Sequence, residues 1–244
     1  MFPKNMIGDY ILKEYEELDS TQLEAKRLLS NSPSAQTTII STKRQLSGRG
    51  RYERVWHSDE GDAIFTIIVS PRCAIETWSQ VAYIGAIAVG ETILSYINDL
   101  DVTYKWVNDV LVQSRKIAGV LLEVYNSSTL LIGIGVNIVK KEQISGVAKK
   151  PISIEDLDIV VDRKALINSI LDRFFSVLRA WECYGFTPVR EMWIKRAQSI
   201  NSDINVRFLD KEIRGKFIDI DKDGKLLLNV ENSVRIITAG EVWN

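Results

Sequence analysis

VTYKWVNDVLVQSRKIAGVLLEVYNSSTLLIGIGVNIV, residues 102–139, decides the fold. Short polar breaks divide it into β-rich runs. VTYKW comes first, then DVLV. KIAGVLLEVY follows Gln113-Ser114-Arg115, and TLLIGIGVNIV follows Asn126-Ser127-Ser128. β-Branched and aliphatic residues suit a pleated, buried surface. The breaks are far too short for the crossover that parallel neighbours need, so these strands pair antiparallel. Grouped strands, instead of strands alternating with helices, indicate α+β and not α/β.

Working outward, TTIIST (residues 37–42) and AIFTIIV (residues 63–69) read as two more buried strands. About twenty polar residues separate them, and connections of that length are usually functional. Before them, a short helix is expected after Asp19. Thr21 and Glu24 fit a capping box there, with Leu23, Leu28 and Leu29 as its apolar face. Residues 77–100 contain no proline and place Val81, Ile84, Ala88 and Ile97 at helical spacing, which predicts a long helix. A second long helix is expected over residues 162–184, with Leu166, Ile170, Phe174, Leu178 and Trp181 on one face. Pro188 suits the start of a third. From about Ile204 the texture changes to INVRF, IRGKFIDI, KLLLNV and VRIIT, with a turn at Asp221-Lys222-Asp223-Gly224. Four or five short strands in so few residues predict a small β-barrel. The expected division is a main domain over residues 1–198 and a barrel over 199–244.

Composition closes off several functions. The 244 residues carry 31 Lys and Arg against 32 Asp and Glu, and 45% of them are apolar. Such a chain is neither disordered nor a broadly basic nucleic-acid binder. Cys73 and Cys183 cannot form a disulfide framework, and with His57 as the lone histidine no multi-histidine metal site exists. The N-terminal stretch carries acids and no apolar leader, and the apolar run over residues 81–97 is interrupted by Glu91. A cytoplasmic protein without a membrane segment is expected.

Two segments carry chemistry. KRQLSGRGRYERVW, residues 43–56, holds five basic residues and one acid. Gly48 and Gly50 allow the backbone to approach a ligand closely. Arg49, Arg51 and Arg54 can present planar forks to phosphate or carboxylate. Trp56 can stack on a ring or pack in the core. A solvated basic loop, or one contacting RNA, is the competing reading. The chain has no Walker A sequence and no dinucleotide fingerprint. In the second segment Asn108-Asp109 can end a strand through its own side chains. Lys116 opens an otherwise apolar strand, from which its ammonium either snorkels to solvent or enters a site. Gly119 inside that strand, and Gly133 and Gly135 two residues apart in the next, signal close approach of another group.

Taken together, these segments resemble the biotin–protein ligases (biotin–[acetyl-CoA-carboxylase] ligases). Residues 45–56 resemble the family's GRGRxGRxW signature, and residues 105–109 its KWPND. Residues 115–123 look like the following K-x-A-G-[IV]-L-x-E, residues 131–137 the G-I-G-x-N strand, and Asp19-Ser20-Thr21-Gln22 the D-S-T-N. Order and spacing agree over about residues 17–137, and the C-terminal β module agrees with the family's SH3-like domain. Three positions depart. Gln22 stands for Asn, Glu53 for Gly and Val107 for Pro.

The resemblance implies a mixed, largely antiparallel sheet flanked by helices, of the class II aminoacyl-tRNA synthetase and biotin ligase type, with an SH3-like barrel behind it. It implies activation of biotin by ATP to biotinyl-5′-AMP, then transfer to a lysine of a biotin carboxyl carrier protein. Lys116, Arg51 and Asp109 take the catalytic roles. Arg49, Arg54 and Lys105 join them around the ligand, with Gly48, Gly50, Trp56, Asn108 and Gly119 from the same two segments. Ser20, Thr21, Gln22 and Gln45 offer partners to the ureido ring, with backbone at Gly133 and Gly135, and Asn137 lies toward the adenosine. Magnesium would arrive with ATP, held by no His or Cys. Only about eighteen residues precede the first motif, so the monofunctional type without a DNA-binding domain is expected. The assembly is either a monomer or a homodimer paired through a sheet edge. The basic loop is expected to order over the adenylate and exclude water. A lipoate–protein ligase is the nearest rival; an RNA-binding module and a ligase-like protein without catalysis are more distant ones.

Overall fold

A computed structural model describes residues 10–31, 36–97, 101–142, 150–208 and 211–243. The chain opens with β1 (Ile11–Leu18), α1 (Thr21–Asn31) and β2 (Thr38–Gln45). A small hairpin follows, β3 (Gly48–Arg49) paired antiparallel with β4 (Val55–Trp56), so part of the long polar connection has structure of its own. Then come β5 (Ala63–Val69), α2 (Val81–Tyr96), β6 (Val102–Lys105), β7 (Asp109–Val112), β8 (Arg115–Asn126) and β9 (Thr129–Val136). These strands form one sheet in the order β1-β2-β5-β9-β8-β7-β6. Every pairing is antiparallel except β1 with β2. The mixed, largely antiparallel sheet is thus the one expected.

Side chains alternate between the two faces of a strand. On one face Phe65 and Ile67 of β5, Val120 of β8, and Ile132 and Ile134 of β9 are buried in the main core. The helices α2, α3 (Arg163–Tyr184) and α4 (Thr187–Ile194) pack into that core, and C-terminal residues such as Ile204, Phe217 and Leu228 join it. The α3 face is the predicted one: Leu166, Ile170, Phe174, Leu178 and Trp181 are all buried. Asp162 caps it, its carboxylate accepting from Ala165 N–H at 2.8 Å. α2 is buried on nearly all sides, not on one face, because the sheet and α3 enclose it. It is preceded by a 3₁₀ segment, Ile75–Gln80, and ends at Tyr96. Residues 98–100 of the expected helix lie outside the described residues, as do residues 1–9 of the acidic N-terminal stretch.

On the other face α1 covers only part of the sheet, through a small cluster of Ala25, Leu29, Ile40, Ile68 and Leu131. The expected capping box does not form. The Thr21 hydroxyl accepts from Thr66 Oγ1 at 2.9 Å and faces Gln45 Oε1 at 3.4 Å, while Glu24 accepts from Tyr15 and Arg27. Leu23 and Leu28 are only half-buried.

The C-terminal strands are β10 (Asp203–Phe208), β11 (Lys211–Ile220), β12 (Leu226–Val230), β13 (Ser233–Ile237) and β14 (Glu241–Trp243). They make an antiparallel five-stranded sheet ordered β13-β12-β11-β10-β14. Asp221 shapes the predicted turn, accepting from the N–H groups of Asp223 and Lys225, and Gly224 takes a φ of +85°. The turn docks on the main domain: Gly224 O accepts from the Tyr83 hydroxyl and from Trp106 Nε1. Among the described residues no helix is long and apolar enough to cross a membrane.

Candidate active site

The sheet face that α1 leaves open forms the floor of a cavity of about 830 Å3. Its walls come from the start of α1, the β3–β4 hairpin, the β6–β7 turn and the C-terminal strands β10 and β14. This size suits a small organic ligand. Seven cations line it, Arg49, Arg51, Arg54, Lys105, Lys116, Lys141 and Arg207, against two acids, Asp109 and Glu241. A concave surface with that imbalance concentrates anions.

A β-bulge places the central cation. Lys116 and Gly119 differ by an odd number of residues, so on a regular strand they would face opposite sides. Val110 pairs with Ala118 but Leu111 pairs with Lys116, which makes Ile117 an extra residue in β8. The bulge re-aims Lys116 toward the cavity. Its Nζ lies 2.7 Å from Asp109 Oδ1 and 5.3 Å from the centre of the Trp56 ring. The floor beneath is bare. A methyl group at Gly135 would come within 2.6 to 2.8 Å of the Trp56 indole, and one at Gly119 within 3.2 Å of both Trp56 and Lys116. Trp56 therefore lies flat on two strands, and its Nε1 is buried with no partner among the described residues.

The arginines of the hairpin are held from two sides. Arg51 donates to Asn108 Oδ1 at 3.1 Å, and Asn108 is itself fixed by donating to Val120 O at 2.8 Å. Arg51 also reaches Gly240 O. Arg54 makes a two-pronged ion pair with Glu241 of β14. The Arg54 hydrogen bonds hold the Glu241 carboxyl below its usual range and raise the guanidinium in turn. Burial pushes the Lys105 ammonium below the usual lysine range; Asp109 and Glu241 oppose that shift, and Lys116 and Arg54 add to it.

The polar corner is built around α1. Gln45 Oε1 accepts from Thr21 N–H at 3.0 Å, tying β2 to the helix start. Gln22 is buried and donates to Glu123 Oε2 at 3.0 Å. Asn137 spends its amide on Ile152 O and Lys116 O, so it fastens the end of β9 while also lining the cavity.

All the expected site residues line this one cavity except Gly48. Gly48 acts from behind: a methyl there would meet Trp56 O at 2.2 Å and the Gln45 amide at 2.6 Å. Sequence reasoning did not find Lys141, Gln198, Arg207, Glu241 or Trp243. Lys141 is a buried ion-pair partner of Asp59 and Asp62. Arg207 stacks its guanidinium 4.7 Å from the Trp243 ring. No local motif marks these residues; docking of the C-terminal sheet brings the last three to the cavity. Of the departures, Glu53 takes a φ of +59°, and the Trp106–Val107 peptide bond is cis.

A ligand pocket between a glycine-floored sheet and an arginine hairpin defines a class, and comparison with known proteins gives its name. Residues 15–138 match the biotin/lipoate A/B protein ligase family, and residues 199–243 match the biotin protein ligase C-terminal domain. The chain belongs to the biotin/lipoate A/B protein ligase family, and within it carries the two matched domains of the biotin protein ligases. It is 29% identical to the biotin–[acetyl-CoA-carboxylase] ligase of Paracoccus denitrificans over 92% of this chain and 97% of the relative. It is also 29% identical to the bifunctional ligase/repressor BirA of Bacillus subtilis, over 97% of this chain and 74% of that protein. Among solved structures, the biotin protein ligase from Aquifex aeolicus in complex with biotin and ATP superposes with a TM-score of 0.82 at 25% identity, covering 96% of this chain and 97% of that one.

Proposed function

We propose that this chain is an ATP-dependent biotin–protein ligase. The biotin carboxylate attacks the α-phosphorus of ATP, giving biotinyl-5′-AMP and pyrophosphate. A lysine amine of a biotin carboxyl carrier protein then attacks the mixed anhydride, and AMP leaves. The observation that carries this reading is the meeting, in one cavity, of the cation-rich hairpin, Lys116 and the bare glycine floor. The family membership and the relatives' names support it.

The first step brings two anions together. Fixed cations in a poorly hydrated cavity lower that cost most where charge builds up in the transition state. In this reading Lys116 bridges the biotin carboxylate and the α-phosphate, with Asp109 holding its ammonium in the cavity until ligand enters. Arg49, Arg51 and Arg54 face the phosphates, Arg51 being aimed by Asn108. Ser20, Thr21, Gln22 and Gln45 surround the ureido ring, and Trp56 covers the acyl chain. Asp109 then orients the carrier amine, and the hairpin keeps water from the anhydride.

Among the described residues no three carboxylate, imidazole or thiolate groups converge to hold a metal ion. The two cavity acids are engaged with Lys116 and Arg54. In this reading magnesium arrives with ATP, and no protein-held site is assigned. The reading divides the chain into a catalytic domain over residues 1–198 and an SH3-like domain over 199–244. It sets the reaction in the cytoplasm and gives DNA no part.

The test is incubation with biotin, Mg-ATP and a biotin carboxyl carrier domain, read by intact mass. The carrier gains one biotinyl group, and lipoate in place of biotin gives no product. Lipoylation without biotinylation would overturn the reading.

A further inference from the structure

We propose that Glu123 is a positioning residue that fixes the hydrogen-bonding polarity of the cavity through Gln22. This deepens the biotin reading and rests on it. Glu123 lies on β8, two residues beyond the last cavity-lining residue of that strand. Both of its oxygens are engaged: Oε1 accepts from Lys26 Nζ and Oε2 from Gln22 Nε2, each at 3.0 Å.

An ionised carboxylate only accepts hydrogen bonds, so the end of Gln22 that faces it must be the NH2 end. A flipped amide would set two acceptors against each other. Gln22 Oε1 is thereby turned away from Glu123. It is buried and has no partner among the described residues. The neighbouring hydroxyl of Thr21 is engaged with Thr66 and Gln45. Gly133 lies beneath; a methyl there would stand 3.3 Å from Gln22 Cδ, so the bare glycine lets the side chain lie across β9 to reach β8. Gln is one methylene longer than the Asn of the D-S-T-N pattern, and the extra reach brings the amide to Glu123. The corner thus offers a fixed acceptor that a ligand N–H completes. In the biotin reading that donor is a ureido N–H.

The experiment is biotin-dependent exchange of pyrophosphate into ATP, with biotin and ATP titrated separately. In Glu123→Gln the neighbour can donate or accept, so the Gln22 amide is free to flip. The KM for biotin rises about tenfold, the cost of losing one oriented hydrogen bond, while the KM for ATP stays put. Glu123→Asp keeps an acceptor and restores part of the loss. Wild type rejects biotin methylated on its ureido nitrogens more strongly than Glu123→Gln does. Gln22→Leu combined with Glu123→Gln is no worse than Gln22→Leu alone, because Glu123 acts only through Gln22. Additive losses in that pair, an equal rise of both KM values, or unchanged discrimination would each overturn the proposal. Wild-type exchange driven by biotin keeps these outcomes separate from failure of the biotin reading; its absence would overturn both.

Discussion

The two faces of the seven-stranded sheet are built from the same strands and do opposite things. On the helix side Phe65, Ile67, Val120, Ile132 and Ile134 are buried against α2 and α3. On the other side Ile68 and Leu131 are covered by α1, while Ile64, Gly119, Leu121, Gly133 and Gly135 line the cavity, three of them glycines. Residue parity along each strand separates the large side chains of the helix-side core from the face that carries the glycines. One bulge, at Ile117, crosses that division and delivers Lys116 to the open side. Side chains of the strands therefore fill one face, while on the other the glycines make room for the Trp56 indole and the Gln22 amide that line the cavity.

That contrast can be broken from the helix side first. Phe174 of α3 is fully buried in the main core and is not among the residues that line the cavity. Phe174→Ala removes a large apolar side chain and leaves a cavity, so unfolding in denaturant should show a loss of about 3–5 kcal/mol. The protein that remains folded should keep its KM for biotin. A changed KM with unchanged stability would show that the two faces are not separate.

The reverse experiment comes from the cavity side. Lys116 is partly exposed and contributes charge, not packing. Lys116→Ala should lower adenylate formation by about 10²–10³-fold, the usual cost of removing one transition-state donor. Its denaturation midpoint should stay within the range of a surface substitution. Pyrophosphate exchange equal to wild type would remove Lys116 from the reaction.

Much of this division was legible in the sequence, because β-strand parity and the paired glycines are local signals. The cation-rich hairpin, the glycine floor and Lys116 could be named from spacing and motif. Three features could not. β1 is a mostly exposed, charged edge strand, ILKEYEEL, with no apolar alternation to mark it. Thr21 and Glu24 match a capping pattern, but Gln45, Thr66, Tyr15 and Arg27 compete for their side chains and win. Glu241, Arg207 and Trp243 reach the cavity through the docking of the C-terminal strands, where the Gly224 turn meets Tyr83 and Trp106 and Arg190 meets Asp219 and Ile220, contacts between segments well apart in the chain.

The smallest effect should come from the hairpin itself, where the cavity side carries backbone strain. Tyr52 and Glu53 both have positive φ, +55° and +59°. An L-residue in that region costs roughly 1–2 kcal/mol, because its Cβ crowds the following carbonyl. Glycine removes that clash but gives the open hairpin more freedom, which offsets roughly 0.5–1 kcal/mol. Glu53→Gly, which restores the residue of the GRGRxGR pattern, should therefore leave a net gain of a few tenths to about 1 kcal/mol. The gain should be local, since the two-residue strands Gly48–Arg49 and Val55–Trp56 can open without unfolding the sheet. It should appear as about two- to fivefold slower amide exchange at Gly50 and Arg54, whose N–H groups bond to Arg54 O and Arg51 O. The core strands should exchange as before. If exchange at those two amides is unchanged or faster, the ion pair of Arg54 with Glu241, and not the backbone of the turn, sets how firmly the hairpin is held.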